Sequence, residues 1–309
     1  MNFAQLQDAE IVVPGSIANL GPGLDTLAVA IQLYLRMRIT GLSAQERGHL
    51  DFCFGRHPTP PENRIETAFR LLAGDVLDFP ALELDVQSDI PMGSGLGSSA
   101  AATIAGFRLY ELLFGAQSPE RLLTLATRLE GHADNAAASL LGGLAVCCEK
   151  QDGMVTAFSL PWPESLYLVV LTPEMVLSTH KSRRALPKSI ALKDAIFNMQ
   201  RVPLLIQAIQ SGDDSLLAEA LADRLHQPAR ESLVPGLGAA LKLSHPSLLG
   251  SFLGGSGPSL VTLARDPVEE VEELLAESYR PLGIPFRTFI LRVHTPDSLA
   301  LSSAAMAMP

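Results

Sequence analysis

Pro91-Met92-Gly93-Ser94-Gly95-Leu96-Gly97-Ser98-Ser99-Ala100-Ala101 sets glycine at alternate positions and then a serine pair before an alanine-rich run. Just upstream, Leu82, Leu84 and Val86 alternate with Glu83, Asp85 and Gln87, the period of a half-buried strand. Downstream, Ala101, Ile104, Ala105, Leu109, Leu112 and Leu113 recur at the spacing of a helix face. A glycine loop between strand and helix lets successive backbone N–H groups turn toward one point, where the helix N-terminus adds partial positive charge. A polyphosphate is the ligand such a loop suits. Ser98 and Ser99 are placed to cap the helix, donate to phosphate oxygens or offer a hydroxyl to Mg2+. Taken alone, the stretch suits a serine-capped turn equally well. No lysine completes a P-loop, the spacing is not that of a dinucleotide fold, and no nucleophile elbow is present.

Working outward, residues 29–39 alternate, with Val29, Ile31, Leu33, Leu35, Met37 and Ile39 on one side, and predict a long half-buried strand. Ser118-Pro119 opens a helix over 119–130, which runs into a polar loop at 130–135 before a buried strand over 140–148. Charge, Gly and Pro between 150 and 163 suggest a boundary, giving an N-terminal domain 1–155 and a C-terminal domain 156–309. The second half reads as a strand at 166–171, helices around 189–209, 214–226 and 231–244, and a strand at 259–264. An acidic helix capped by Asp266-Pro267 and a strand at 286–293 complete it. Strands interrupted irregularly by helices favour an α+β fold over a doubly wound sheet.

Composition bounds the function. A chain of 309 residues with 24 Gly, 22 Pro and 18% charged side chains can bury a core of about two domains, which argues against disorder. A formal charge of −10 works against non-specific nucleic-acid binding, which depends on Lys and Arg displacing counterions. The stretch MNFAQLQDAE lacks the basic character of a targeting segment, and the apolar run Ala136–Cys148 is short of the roughly 18 residues a membrane helix needs. A soluble, cytoplasmic protein with neither a nucleic-acid nor a membrane partner is the expectation. Cys53, Cys147 and Cys148 show no metal spacing, and the adjacent pair is expected to be buried packing.

Two more loops accompany the first: Val13-Pro-Gly-Ser-Ile-Ala-Asn-Leu-Gly-Pro-Gly-Leu-Asp25 and Gly250-Ser-Phe-Leu-Gly-Gly-Ser-Gly-Pro-Ser259. Together, in this order, the three resemble the GHMP small-molecule kinases, and within them the homoserine kinases. The signature Pro-x-Ser-x-Ala-Asn-Leu-Gly-Pro-Gly-Phe-Asp stands at Pro14–Asp25 with Leu24 in place of Phe. Glu-Gly-His-x-Asp-Asn is unbroken at Glu130–Asn135, and Ser178-Thr179 with Arg183 and Leu186-Pro187 matches a further segment. Gln227-Pro228-Ala229-Arg230 looks like the family's Pro-Tyr-Arg segment with Ala229 in place of Tyr. The likeness runs from about residue 10 to 265.

The resemblance implies a ribosomal-S5-domain-2-like N-terminal half and a ferredoxin-like C-terminal half. It implies transfer of the γ-phosphoryl group of ATP to the side-chain hydroxyl of L-homoserine. By the same likeness Pro91 to Ala101, with Met92, Ser94, Leu96 and Ala100 included, hold the ATP phosphates, and Asn63 contacts the base. Ser99 and Glu130 would hold Mg2+. Arg183 and Arg230 would take the substrate carboxylate, because a guanidinium fork matches it at two points. Arg184 is the neighbour most easily confused with Arg183. Asn19, Asp25, His132, Asp134, Asn135 and Gly255 would surround the ammonium and hydroxyl, and Thr179 would orient near the γ-phosphate. Related mevalonate kinases use an Asp base where Asn135 stands here, and Asn cannot accept a proton at neutral pH. Asp25 and Asp134 are the remaining base candidates, and late proton loss without a base is the alternative. The family commonly forms homodimers. Three other readings stay open: a kinase for L-threonine or a mevalonate-like alcohol, a non-catalytic nucleotide or amino-acid sensor, and a hydrolase built from Ser99, His132 and Asp134.

Overall fold

The computed structural model describes residues 6–55, 62–76, 78–296 and 298. Its first part comprises β1 (Glu10–Ala18), β2 (Leu27–Arg47), β3 (Leu50–Cys53), α1 (Arg64–Ala73), β4 (Pro80–Ser88), α2 (Ser98–Phe114), α3 (Pro119–Glu130), α4 (Asp134–Leu141), β5 (Leu144–Glu149) and β6 (Val155–Leu160). These strands form one sheet, β3-β4-β2-β5-β6, with β1 also paired to β2. The alternation at 29–39 is carried by β2, where Val29, Ile31, Leu35, Met37 and Ile39 are buried. Leu33 is only half-buried, because the register against β1 slips between Pro14 and Gly15 and throws it off the inner face.

The second part comprises β7 (Tyr167–Pro173), α5 (Thr179–Arg184), α6 (Leu192–Ser211), α7 (Leu217–Ala220), α8 (Gln227–Arg230), α9 (Leu237–Ala240), β8 (Leu248–Leu253), β9 (Leu260–Ala264), α10 (Val268–Tyr279) and β10 (Phe286–Leu291). Its antiparallel sheet runs β10-β7-β9-β8, a split β-α-β arrangement of the ferredoxin-like kind, with α10 packed on β7 and β10. The expected α+β class is what the chain adopts.

Several boundaries differ from the sequence reading. Residues 134–141 form α4 rather than the end of a loop and the start of a strand. Gly131 ends α3 in the left-handed region at φ 80°, and the run Ala136–Ala138 lets α4 lie close on β1 and β2. Only after Gly142 and Gly143, both at positive φ, does β5 begin. The helices expected at 214–226 and 231–244 shrink to α7, α8 and α9 with short 3-10 turns. The Asp223 carboxylate captures the N–H groups of Leu225, His226 and Gln227, and Gly236 sits at φ 82°. Asp266 does not cap α10 with its side chain. Cys147 is buried as expected, but Cys148 is exposed, because neighbours on a strand face opposite ways.

The first sheet extends past the expected division at 155/156, since β6 pairs with β5 along its whole length. Beyond β10 the chain returns to that sheet. The N–H of Gln32 donates to the Arg292 carbonyl at 3.1 Å, that of His294 to Ala30 at 2.9 Å, and that of Gly143 to His294 at 2.8 Å. The main core accordingly joins the first sheet and its helices to Leu205, Phe252 and Val261, while a second core lies between the other face of the second sheet and α9 and α10.

Gly21 is where the loop after β1 meets the second half. It sits at φ +73°, and a Cβ there would lie 2.2 Å from the Leu221 carbonyl oxygen. Gly21→Ala should therefore lower stability by about 3 kcal/mol or more, combining left-handed strain with overpacking against backbone. Gly212→Ala, at φ +71° and ψ 23° with nothing within 4 Å, should cost only the strain, about 1 kcal/mol. Urea denaturation of the two variants measures the difference.

Candidate active site

The three glycine-bearing loops meet backbone to backbone. Ser16 N–H donates to the Leu96 carbonyl at 3.1 Å, and Gly255 N–H to Ala18 at 3.1 Å. Ser259 donates twice to the Ser94 carbonyl, from N at 3.2 Å and Oγ at 2.7 Å. A Cβ on Gly95 would sit 2.5 Å from the Gly254 oxygen, and one on Gly97 would sit 2.2 Å from Ser16 Oγ. Gly93, by contrast, meets nothing within 4 Å and needs only its positive φ.

A cleft of about 720 Å³ opens over this junction. It brings together Asn19, Asp25, His132, Asp134, Asn135, Thr179, Arg183, Arg230 and Gly255, with Glu130 and most of the loop from Pro91 to Ala100. Asn63 and Met92 instead line an adjoining hollow of about 1020 Å³ walled by Leu35, Phe54 and Val86, and Gly93, Ser98 and Ser99 border both. Asn63 also N-caps α1, accepting from Glu66 N–H at 3.3 Å. Ala101 is fully buried and lines neither space, and Arg184 is exposed outside both. Leu24 and Ala229, the two departures from the family pattern, are likewise absent from the lining.

Ser98 and Ser99 do not cap α2. Gly97 occupies the cap in the left-handed region, no side chain accepts there, and the first turn carries no acid. The leading N–H groups of this helix are left for an anion. Ser99 Oγ turns to Glu130 instead, 2.9 and 2.8 Å from its two carboxylate oxygens, and Thr103 Oγ1 donates to the same carboxylate at 2.8 Å. Sequence reasoning passed over Thr103, although its position one turn after Ser99 on α2 puts both hydroxyls on one face. Oxygen donors of this kind suit a hard cation, and the Arg64 guanidinium also stands 3.9 Å from Glu130 Oε1.

Asp25 and Arg183 form a two-point ion pair at 2.9 and 2.6 Å. Burial alone would lower the Arg183 pKa, but its hydrogen bonds to Asp25 and the charge of that carboxylate more than offset this and raise it. Asp25 lies at φ 56°, in a loop where Asn19 and Leu20 are also left-handed. Asn19 holds that loop: its Oδ1 accepts from Asp25 N–H at 3.2 Å and its Nδ2 donates to Gly255 O at 2.7 Å. Both halves of the Asn19 amide are therefore engaged with backbone, and its place in the cleft is that of a strut.

Arg230 is 1% exposed, and among the described residues no carboxylate lies within ion-pair distance of it. Its partners are His226 Nδ1 at 3.0 Å and the carbonyls of Gly255 at 3.2 Å and Ser182 at 3.5 Å. Burial first, and the charge of Arg183 second, push its pKa down to about 10, which leaves it cationic at neutral pH. Burial also opposes charging His132, but the hydrogen bond from its Nδ1 to Asp134 at 2.7 Å prevails and raises its pKa. Asn135 accepts from Ser16 Oγ at 2.9 Å, which is itself backed by Ser139 Oγ at 3.3 Å, so the Asn135 NH2 group is what remains to donate. Thr179, at the first turn of α5, pairs with Ser256 Oγ at 3.3 Å.

Residues 63–143 match the GHMP kinases N terminal domain and residues 205–280 the GHMP kinases C terminal family. A homoserine kinase of Solibacter usitatus (strain Ellin6076) is 41% identical over 276 residues, which is 88% of this chain and 90% of that relative. The chain belongs to the homoserine kinase family of GHMP kinases. Another family member, from Desulfitobacterium hafniense (strain DSM 10664 / DCB-2), is 35% identical over 94% of this chain and 98% of its own length. The crystal structure of homoserine kinase from Cytophaga hutchinsonii ATCC 33406 superposes with a TM-score of 0.79 at 27% identity, covering 93% of this chain and 95% of that one. The Methanococcus jannaschii mevalonate kinase shares the fold, with a TM-score of 0.65 at 14% identity over 94% and 99% of the two chains.

The strut and the ion pair should separate in stability measurements. Asn19→Ala removes two hydrogen bonds at a buried side chain and should cost about 2 kcal/mol. Asp25→Asn breaks a pair whose side chains are 32% and 40% exposed and should cost no more than about 1 kcal/mol. Thermal unfolding of the two variants tests this order.

Proposed function

We propose that the chain transfers the γ-phosphoryl group of ATP to the side-chain hydroxyl of L-homoserine. The observation that carries this reading is a buried Arg230 with no carboxylate partner among the described residues, lining the same cleft as an uncapped helix N-terminus. An amino-acid carboxylate supplies the missing anion. Asp25 offers its charge to the substrate ammonium, and Arg183, released from Asp25, adds a second point of contact to the carboxylate. The apolar hollow at Asn63 and Met92 takes the nucleotide base, and the loop from Gly93 to Ser99 takes the phosphates.

Ser99 and Glu130 are the residues that would hold Mg2+, with Thr103 orienting the carboxylate. The ion would neutralise charge on the phosphate oxygens. Asp134 is engaged by His132 and by Asn135 N–H, and Asp25 by Arg183 before substrate binds and by the substrate ammonium once Arg183 has left it, so neither carboxylate stands free as a base. With its amide oxygen taken by Ser16 Oγ, Asn135 has its NH2 group left to offer and cannot act as a base. The reading is therefore late loss of the hydroxyl proton, with catalysis carried by positioning and charge neutralisation. A cytoplasmic homodimer belongs to the same reading on family likeness alone; no helix among the described residues is long and apolar enough to cross a membrane.

Purified protein with ATP and Mg2+ should release ADP when L-homoserine is added, and not with L-threonine or mevalonate. Indifference to homoserine would sink the proposal. Arg230→Ala should raise the homoserine KM by roughly 30-fold or more, the effect of deleting one partner of a buried charge pair, while the ATP KM changes little. Glu130→Gln should lower kcat by about 100-fold and raise the Mg2+ concentration for half-activation.

A further inference from the structure

We infer that His226 is a positioning residue: one neutral imidazole ties the loop carrying Asp25 to the helix carrying Arg230, and so aims the arginine into the cleft. The inference rests on the reading that Arg230 takes the substrate carboxylate.

The tautomer follows from the two neighbours independently. His226 is fully buried, with Nε2 2.7 Å from the Gly21 carbonyl oxygen and Nδ1 3.0 Å from Arg230 Nη1. A carbonyl can only accept, so Nε2 carries the hydrogen; a guanidinium can only donate, so Nδ1 is bare. Both demands are met by the same neutral form. An imidazolium would set an N–H against the guanidinium and lose the one side-chain acceptor that Arg230 has among the described residues.

Both ends of this bridge are fixed. The Gly21 backbone is wedged against Leu221, and Asn19 ties the same loop to Gly255, a carbonyl that Arg230 also contacts. Behind the imidazole, Asp223 is held by Asn198 Nδ2 at 2.6 Å and accepts the backbone N–H of His226 at 3.0 Å. The charged groups around His226 are Asp223, whose Oδ2 is 3.7 Å from Nε2, Arg230 on α8, and Asp25 from the opposing loop. Burial, helped by the Arg230 charge, holds the imidazole pKa below its ordinary value against the pull of Asp223, the Gly21 carbonyl and Asp25. Such a group contributes stability above pH 6.5 that is lost as pH falls below it toward the folded-state value.

Two measurements on the full chain test the assignment. Nitrogen-15 NMR of the imidazole should show the neutral Nε2–H tautomer at pH 7, still neutral at pH 6.5; an imidazolium or an Nδ1–H form there would overturn it. In the kinetic arm, His226→Phe removes the acceptor and should raise the homoserine KM by about tenfold or more, with the ATP KM within about twofold. His226→Asn, which returns an acceptor oxygen near Nδ1, should recover most of that loss. Parallel changes in both KM values, or an Asn variant no better than Phe, would assign His226 to fold maintenance and overturn the inference. If the Phe variant does not fold, the NMR tautomer and the KM split of the Asn variant decide. Loss of homoserine turnover in the unaltered protein would instead remove the proposed function, and this inference with it.

Discussion

Everything in the cleft depends on main chain lying against main chain where the three loops meet. Gly95 and Gly97 allow the loop before α2 to touch Gly254 and Ser16 at distances no side chain would permit. Without that approach the Ser94 carbonyl would lose Ser259, Ala18 would lose Gly255, and the two halves of the chain would present their polar groups to separate surfaces. The glycines therefore answer two demands at once: amides turned toward an anion, and room for a neighbouring loop.

Electrostatics follows the same local logic. Within the cleft, a chain of net charge −10 presents positive potential at the uncapped start of α2, the Arg183 fork and the buried Arg230. Two of these face carboxylates or carbonyls that an incoming zwitterion can replace. In the proposed complex Arg183 gives up Asp25 for one end of the ligand while Asp25 receives the other, so neither side chain is left without an opposite charge on binding.

Loops with fixed glycine spacing were legible in the sequence because their chemistry is local, and strand and helix periodicity gave the α+β class; most of the other residues lining the cleft were legible only through the family resemblance that those loops carry. Helix α3 was legible for the same reason, its Ser118 cap and Pro119 start lying side by side. What stayed hidden was made by contacts distant in sequence or by backbone capture. The Asp25–Arg183 pair joins residues 158 positions apart, and Asn19 is a strut only because Gly255 is brought beside it. Asp223 ends a helix that periodicity would have continued, and in doing so it sets His226 where no motif points. Helix α4 was missed because three successive alanines carry no amphipathic period, only high helix propensity.

The return of the chain after β10 has a consequence for synthesis. The N–H groups of Gln32 and Gly143 and the carbonyl of Ala30, at the buried centre of the first sheet, find their partners in residues 292–294. Emerging from the ribosome in order, the N-terminal part of the chain can assemble its strands but leaves those groups open until residues 292–294 have left the exit tunnel. This return of the backbone acts as a closing stitch, so that the sheet begun first is completed only after the strands of the second sheet have been made.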